Sequence, residues 1–377
     1  MKYRKFGRLT WKPSALGFGA MRLPFLNDDP AQIDEKKAVS MIRQAVERGV
    51  NYIDTAYPYH GGNSEKVVGK ALKGGCREKV KIATKMPSWL IEKASDLDRI
   101  FEEQMERLDV DGIDFYLFHN LSSVFWPKIE KADGLRWAEK KQAEGLITHL
   151  GFSFHDEFAF FKTVIDAYDK WDFCQIQYNY ADQEYQAGKK GLEYAVSRGL
   201  GVIIMEPLKG GQLAADPPPA VASLWDKMSE KRPPAYWAFK WLWDQEDVAF
   251  LLSGMSTPEQ VRENCNYADQ AEPGALTSGD REVLEEIREA YENLRPVPCT
   301  ACGYCIPCPK EIPIPRILEL YNNAEIYGFL DTSKLSYWFI KEDHRADNCI
   351  ECGECEEKCP QNIPIIESLR KAHSLFS

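Results

Sequence analysis

Eight of the eleven cysteines fall between residues 299 and 359, while Cys76, Cys174 and Cys265 are scattered through the first 298. The eight form two runs, CTACGYCIPCP from residue 299 and CIECGECEEKCP from residue 349, each followed by an Ile-Pro segment. This is an internal repeat. Thiols packed so densely are cross-linked or hold metal. The amino-terminal stretch MKYRKFGRLTWK is basic but has no apolar core of a secretory signal, so the expected setting is cytoplasmic and the expected use is metal ligation.

Cys349, Cys352, Cys355 and Cys359, with Pro360 behind them, have the spacing C-x2-C-x2-C-x3-C-P, and Cys299, Cys302, Cys305 and Cys308 repeat it with one residue fewer. The pattern is similar to that of bacterial two-cluster ferredoxins, in which the fourth cysteine of each run ligates the other cluster. It implies one [4Fe-4S] cluster on Cys299, Cys302, Cys305 and Cys359, and a second on Cys349, Cys352, Cys355 and Cys308. Tight x2 turns bring three thiolates to one cubane face, and Gly303 and Gly353 permit close backbone approach there. Zinc sites or a disulfide knot are the competing readings. Zinc ribbons use paired C-x2-C units, which these four-cysteine runs do not resemble.

The chain before the cysteines is organised differently. Eight short apolar runs, beginning near residues 15, 52, 80, 113, 148, 173, 201 and 248, alternate with amphipathic helical stretches such as Lys36 to Arg48 and Leu97 to Leu108. Eight strands alternating with helices over about 250 residues predict an α/β fold, a (β/α)8 TIM barrel. The leader YRKFG and LTWKPS reads as a hairpin closing the barrel bottom. A Pro-rich linker, RPVP at 295 to 298, sets the expected boundary: a barrel over 1–295 and a small α-helical ferredoxin-like iron-sulfur domain over 296–377. The net charge of −11 is spread over both parts without a basic stripe, which argues against nucleic acid and anionic membrane surfaces as partners. The apolar runs are too short to span a bilayer.

In such a barrel, chemistry sits at the carboxyl ends of the strands. Asp54, Lys85 and His119 fall at three consecutive ends, and Tyr59 lies just beyond Asp54. Any one of them alone reads as a cap, rim or core residue. Their convergence at one mouth points to catalysis. A tyrosine beside a lysine ammonium is expected to have its pKa lowered, with Asp54 keeping the lysine charged. The set suits proton donation to a carbonyl oxygen that His119 also orients.

The segment YIDTAYPYHGGNSEKVVGKAL, followed by IATKMP, FYLFHN, LGFSFH, QIQYN, MEPLKGG and SGMSTPEQVREN, resembles the aldo-keto reductase superfamily over residues 1 to 295. More narrowly, the chain is similar to members with a carboxyl-terminal ferredoxin-like extension. The resemblance implies Tyr59 as general acid, Lys85 and Asp54 as its tuners and His119 as the carbonyl-positioning group. It implies an NADP- or NAD-dependent oxidoreductase acting on a small carbonyl compound or alcohol. Dinucleotide contacts carry over to Gly19, Ala20, Met21, Ser153, Gln175, Met205, Pro207, Leu208, Lys209, Gly210, Gly211, Gly254, Met255, Ser256, Gln260, Glu263 and Asn264. Lys209 with the two glycines reads as a pyrophosphate cradle.

Three departures stand out. Many members have Asn at Phe154, a stacking aromatic at Met205, and basic residues near Gly254 and Gln260; Arg262 is the nearest substitute charge. Trp89, Phe125 and Trp126 are expected to line the mouth. Hydride carries two electrons and each cluster one, so exchange between them needs an intermediary. A flavin remains open, as does a partner such as ferredoxin or flavodoxin. The alternative reading is an electron-transfer or interaction protein with the barrel as scaffold.

Overall fold

The structure, a computed structural model, describes residues 1–27, 29–299, 305–359 and 362–377. The expected ligand Cys302, together with Gly303 and Pro360, lies outside them. β1 (Leu16–Gly19) is followed by a small antiparallel hairpin, β2 (Phe25–Leu26) and β3 (Asp29–Ile33), which the sequence pattern did not signal. Then come β4 (Tyr52–Asp54), β5 (Lys81–Pro87), β6 (Ile113–Leu121), β7 (Ile147–Phe154), β8 (Phe173–Gln177), β9 (Gly201–Met205) and β10 (Phe250–Ser253). β1 and β4 to β10 pair in parallel and close into an eight-stranded barrel, with β1 joining β10 on one side and β4 on the other. All eight predicted runs are barrel strands.

Helices cover the outside, and each buries one stripe. In Glu35–Glu47 the stripe is Ala38, Met41, Ile42, Ala45 and Val46, and the Asp34 carboxylate accepts the Lys37 N–H at the start. At the barrel bottom the leader forms bridges from Tyr3 to Ser14 and from Phe6 to Leu9. The Phe6 ring plugs the floor, 5.5 Å from Phe250, 5.8 Å from Phe115 and 6.0 Å from Phe173 between centroids. A β-carbon on Gly201 would lie 2.2 Å from that ring, so only glycine fits beneath it. Burial of the ring contributes on the order of 1.5 to 3 kcal/mol.

The chain divides into two compact units, Met1–Gly210 with Ala235–Thr277, and Gly211–Pro234 with Ser278–Ser377. Helix Ser278–Asn293, which the sequence reading counted with the barrel, groups with the second unit because the 211–234 segment packs on it. There the Asp280 carboxylate accepts from the Ser229 N–H and hydroxyl at 3.0 Å each, and Lys227 pairs with Glu286 at 2.6 Å.

Within this unit, helices Ile314–Tyr327, Leu330–Trp338 and Ile365–Phe376 enclose a small core that includes Ile312, Ile317, Leu318, Tyr337, Leu369 and Phe376. Cys299, Cys305, Cys308, Cys349, Cys355 and Cys359 pack against it. No helix among the described residues is long and apolar enough to cross a membrane.

Candidate active site

Register places the four predicted residues at one end of the barrel. Asp54 ends β4 opposite Ala83, Lys85 in β5 pairs with Leu117 in β6, and His119 pairs with Pro87. Tyr59 opens a single tight turn, Tyr59–Gly62, whose His60, Gly61 and Gly62 all have positive φ. Gly61 and Gly62 take that conformation without strain. The Leu23 N–H donates to His60 Nε2 at 3.1 Å and pins the turn to the loop after β1.

Lys85 is fully buried. Its Nζ donates to Asp54 Oδ2 at 2.6 Å, to the Thr55 carbonyl at 2.7 Å and to Tyr59 Oη at 3.3 Å. Burial depresses a lysine, but Asp54 and Tyr59 together outweigh it and hold the ammonium above its usual value. The expected lowering of the Tyr59 pKa does not occur. Burial pushes the phenol up and exceeds the downward pull of Lys85, so Tyr59 is a protonated acid across the neutral range. Burial, then the charge of Lys85, drives His119 well below the ordinary histidine value, so its imidazole is neutral. Its ring stands edge-on to Tyr59 with centroids 5.9 Å apart.

A buried polar network that sequence reasoning missed supports this set from below. The Gln104 amide donates to the Lys85 carbonyl at 2.9 Å and to Glu65 Oε1 at 2.9 Å, while Tyr116 Oη donates to Gln104 Oε1 at 2.6 Å. Thr84 Oγ1 donates to Glu65 at 2.6 Å, and Arg107 pairs with its other oxygen at 3.3 Å. Burial raises the Glu65 pKa against these donors. No local motif marks Gln104 or Tyr116; only the packing of helix Ser95–Leu108 on the outer face of the strands brings them together.

The residues carried over as dinucleotide contacts lie, Gly211 apart, in or beyond the barrel strands of the first unit. Gly19 ends β1, and the Ala20 N–H donates to the Asp54 carbonyl at 2.8 Å. Met21 is exposed. Ser153 in β7 and Gln175 in β8 are register partners; Ser153 Oγ accepts the Asn120 N–H at 2.9 Å, and Gln175 Nε2 lies 3.7 Å from Met205 Sδ. Gln175 Oε1 is buried without a partner among the described residues, which fits an amide donor such as a carboxamide.

Beyond β9, Pro207 is buried, Leu208 is half-buried, and Lys209 pairs with Asp182 at 2.9 Å. Asp182 is thus the counter-charge that faces this cation in the structure. Gly211 opens the second compact unit. Beyond β10, Gly254 and Ser256 lie beside Arg22, Met255 is buried, and Asn264 donates to Ser253 Oγ at 3.1 Å. Gln260 closes a capping box with Thr257 at the start of Pro258–Ala268, a structural role. Glu263 and Arg262 are exposed on that helix.

Two aromatic assignments change. Trp89 lies 5.1 Å from the His119 ring and 6.3 Å from Phe125, an apolar wall at the mouth. Trp126 instead is buried among the outer helices near Trp171. Phe154 likewise points away from the mouth, with Phe161 at 5.0 Å. Outside the site, Cys76, Cys174 and Cys265 are buried free thiols, and burial raises all three, Cys265 to about 11.

In the second unit, Cys308, Cys349, Cys352 and Cys355 all line one hollow, together with Cys305 and apolar walls from Ile312, Ile350, Ile366 and Leu369. Among the described residues, no three Cys, His, Asp or Glu side chains converge closely enough for a single ion.

Two family models match the chain. The Aldo/keto reductase family model matches residues 15–273, and the 4Fe-4S dicluster domain model matches residues 298–363. The NADH-specific methylglyoxal reductase of Escherichia coli strain K12 is 28% identical over 333 residues, 76% of this chain and 95% of that protein. The L-galactose dehydrogenase of Arabidopsis thaliana is 27% identical, over 78% and 96% of the two chains. A solved aldo-keto reductase from Bacillus halodurans in its holo form has a TM-score of 0.63 and 26% identity, covering 76% of this chain and 96% of that one.

Proposed function

Since the chain belongs to the aldo/keto reductase family and carries a 4Fe-4S dicluster domain, we propose that it interconverts a carbonyl compound and an alcohol by hydride exchange with a nicotinamide nucleotide. The observation that carries this reading is the buried Asp54, Lys85, Tyr59 chain of contacts at 2.6 and 3.3 Å. When bound, the nicotinamide supplies hydride to the carbonyl carbon or accepts it from the alcohol carbon.

The chain's own residues handle the proton. Tyr59 Oη gives its proton to the carbonyl oxygen as the C–H bond forms, and the phenolate left behind is stabilised by the Lys85 ammonium. Asp54 keeps that ammonium charged in a buried setting. Neutral His119, edge-on to Tyr59, donates a hydrogen bond to the same oxygen and fixes its direction. In the alcohol-oxidising direction the phenolate takes the proton back. Gln175 and Ser153 suit the nicotinamide carboxamide, and the Trp89 and Phe125 wall suits a substrate with an apolar flank. The name of the methylglyoxal reductase relative supports a nicotinamide cofactor and, of the two, NADH.

Two [4Fe-4S] clusters are held, in this reading, by Cys299, Cys302, Cys305 and Cys359 and by Cys349, Cys352, Cys355 and Cys308. The hollow lined by the second set supports the assignment. Each cluster supplies one-electron exchange, serving a partner such as ferredoxin or flavodoxin or a structural and redox-sensing role. Tyr59→Phe tests the main proposal: carbonyl reduction falls at least about a hundredfold while nucleotide binding persists. A full rate in this variant refutes the role of Tyr59.

A further inference from the structure

The motif LGFSFH ends in a histidine that the proton and hydride steps above do not use. Successive residues of a strand face opposite sides. The Ser153 hydroxyl accepts the Asn120 N–H, Phe154 turns out against Phe161, and His155, the next residue, returns to the mouth side. Its N–H donates to the Leu121 carbonyl at 3.4 Å. The neighbouring Asp156 carboxylate accepts the Ser123 N–H and hydroxyl at 2.8 Å each, which ties the β6 loop, with Phe125 on it, to this point. Water reaches the His155 imidazole. Even so, desolvation by the surrounding protein, helped by the charge of Lys85 and opposed by Gln186 and Glu206, holds it below the ordinary histidine value. A side chain that is wet and deep at once stands on the wall of a hollow.

Gln186, on the loop after β8, faces this ring; its Oε1 is buried without a hydrogen-bond partner among the described residues. Glu206, beyond β9 and paired with Arg22 at 3.3 Å, bears on both His155 and Tyr59. The mouth therefore has two unlike walls. Trp89 and Phe125 make the β5 and β6 side apolar, while an imidazole, an amide and a carboxylate line the side of β7 to β9. A neutral imidazole has one donor and one acceptor, which a hydroxyl matches. A carboxylate matches it poorly, because Glu206 stands nearby with the same charge. We propose that His155, with Gln186 beside it, hydrogen-bonds a hydroxyl of the substrate one or two carbons from the carbonyl, so that hydroxy-carbonyl compounds are preferred. This inference rests on the carbonyl-reduction reading above. His119 and His155 belong to adjacent strands, about 4.8 Å apart, a span that a carbonyl oxygen and such a hydroxyl can cover.

The test is steady-state reduction by the full chain, with NADH and with NADPH, in wild type, His155→Leu and His155→Gln. Butanone is compared with 3-hydroxybutanone and 4-hydroxybutan-2-one, which each add one hydroxyl, and with 2-oxobutanoate, which adds a carboxylate. In wild type, kcat/KM for the better hydroxyketone exceeds that for butanone about tenfold or more, as expected when loss of one hydrogen bond leaves buried polar groups unpaired. His155→Leu brings this ratio to about one, and His155→Gln, with a donor and an acceptor at similar reach, retains more of it. A merely structural role lowers both rates together and leaves the ratio intact, which overturns the proposal, as do equal ratios in the two variants. A wild type that favours 2-oxobutanoate over both hydroxyketones also overturns it. An intact ratio with weaker nucleotide binding in His155→Leu, read by fluorescence titration, moves the ring to the cofactor. No turnover of any of the four by wild type removes the carbonyl reading for this class of substrate, and this inference with it. A missing preference beside a rate that still depends on Tyr59 removes this inference alone.

Discussion

Replacing Asp54 by Asn isolates the charge on which the Lys85 arrangement depends. The carboxylate oxygen lies 2.6 Å from Nζ, with both side chains almost fully buried. At an effective dielectric of about 20, that separation gives about 6 kcal/mol of attraction before desolvation is counted. Asn keeps an acceptor near Nζ, and the Thr55 carbonyl remains at 2.7 Å, so the hydrogen bonds survive while the charge goes. Removing one partner of a buried pair destabilises by about 3 to 5 kcal/mol. For a barrel of this size that is a fall in melting temperature of roughly 6 to 20 °C.

Burial then dominates Lys85 and drives it toward the neutral amine, so Tyr59 loses its cation. Carbonyl reduction should drop about a hundredfold or more. Thermal unfolding and steady-state reduction rates, measured on Asp54→Asn and on the double variant Asp54→Asn with Lys85→Met, separate the two effects. The double variant has no unpaired charge and should regain most of the stability but none of the rate. An Asp54→Asn protein that melts within about 2 °C of wild type at full rate refutes the reasoning, as does a double variant no more stable than the single one.

Other outcomes follow from the same geometry. His119 is held neutral by burial, with its folded pKa below the unfolded value of about 6.5. Its contribution to stability is complete above that value and is lost as pH falls through the folded one. His119→Gln should therefore flatten part of the acid limb in melting curves taken from pH 8 down to 4, leaving the part due to His155, which burial depresses likewise; an unchanged limb would remove His119 from it. Because burial raises Tyr59, the rate of carbonyl reduction should show no ionisation of this residue below about pH 10, and a tyrosine-dependent step near pH 7 would count against its protonated state. Cys308→Ala, prepared anaerobically, should fall from about eight iron atoms per chain to about four. A full complement would show that Cys308 is not a ligand.

Much of this was legible in the amino-acid order. Each barrel strand is an apolar run set off by helical stretches, and the parallel register turns strand ends into neighbours, so Asp54, Lys85 and His119 could be placed at one mouth. That Cys349, Cys352 and Cys355 line one hollow was legible for a different reason, because close spacing in the chain keeps thiols near one another. What stayed hidden depends on direction and on distant partners. Phe154 and Trp126 lie close in sequence to site residues, yet their side chains point into the helix layer. The pairing of Lys209 with Asp182, 27 residues away, has no local sign in the sequence. Arg22 and Glu206 are 184 positions apart and carry no joint signature. The upward shift of Tyr59 is a balance of burial against a cation, and only the depth of the site decides it.

The floor of the barrel has a bearing on how the chain is made. Phe6 precedes every barrel strand and is synthesised before them, but its partners Phe115, Phe173 and Phe250 are contributed by strands spread over most of the barrel's length. The stopper must wait, exposed, until synthesis has passed residue 250, and the contact between Phe6 and Phe250 joins the segment ahead of β1 to the last barrel strand. Ring closure and sealing of the floor are thus late, concerted events of folding, and a nascent barrel missing β10 presents an aromatic side chain that a chaperone can grip.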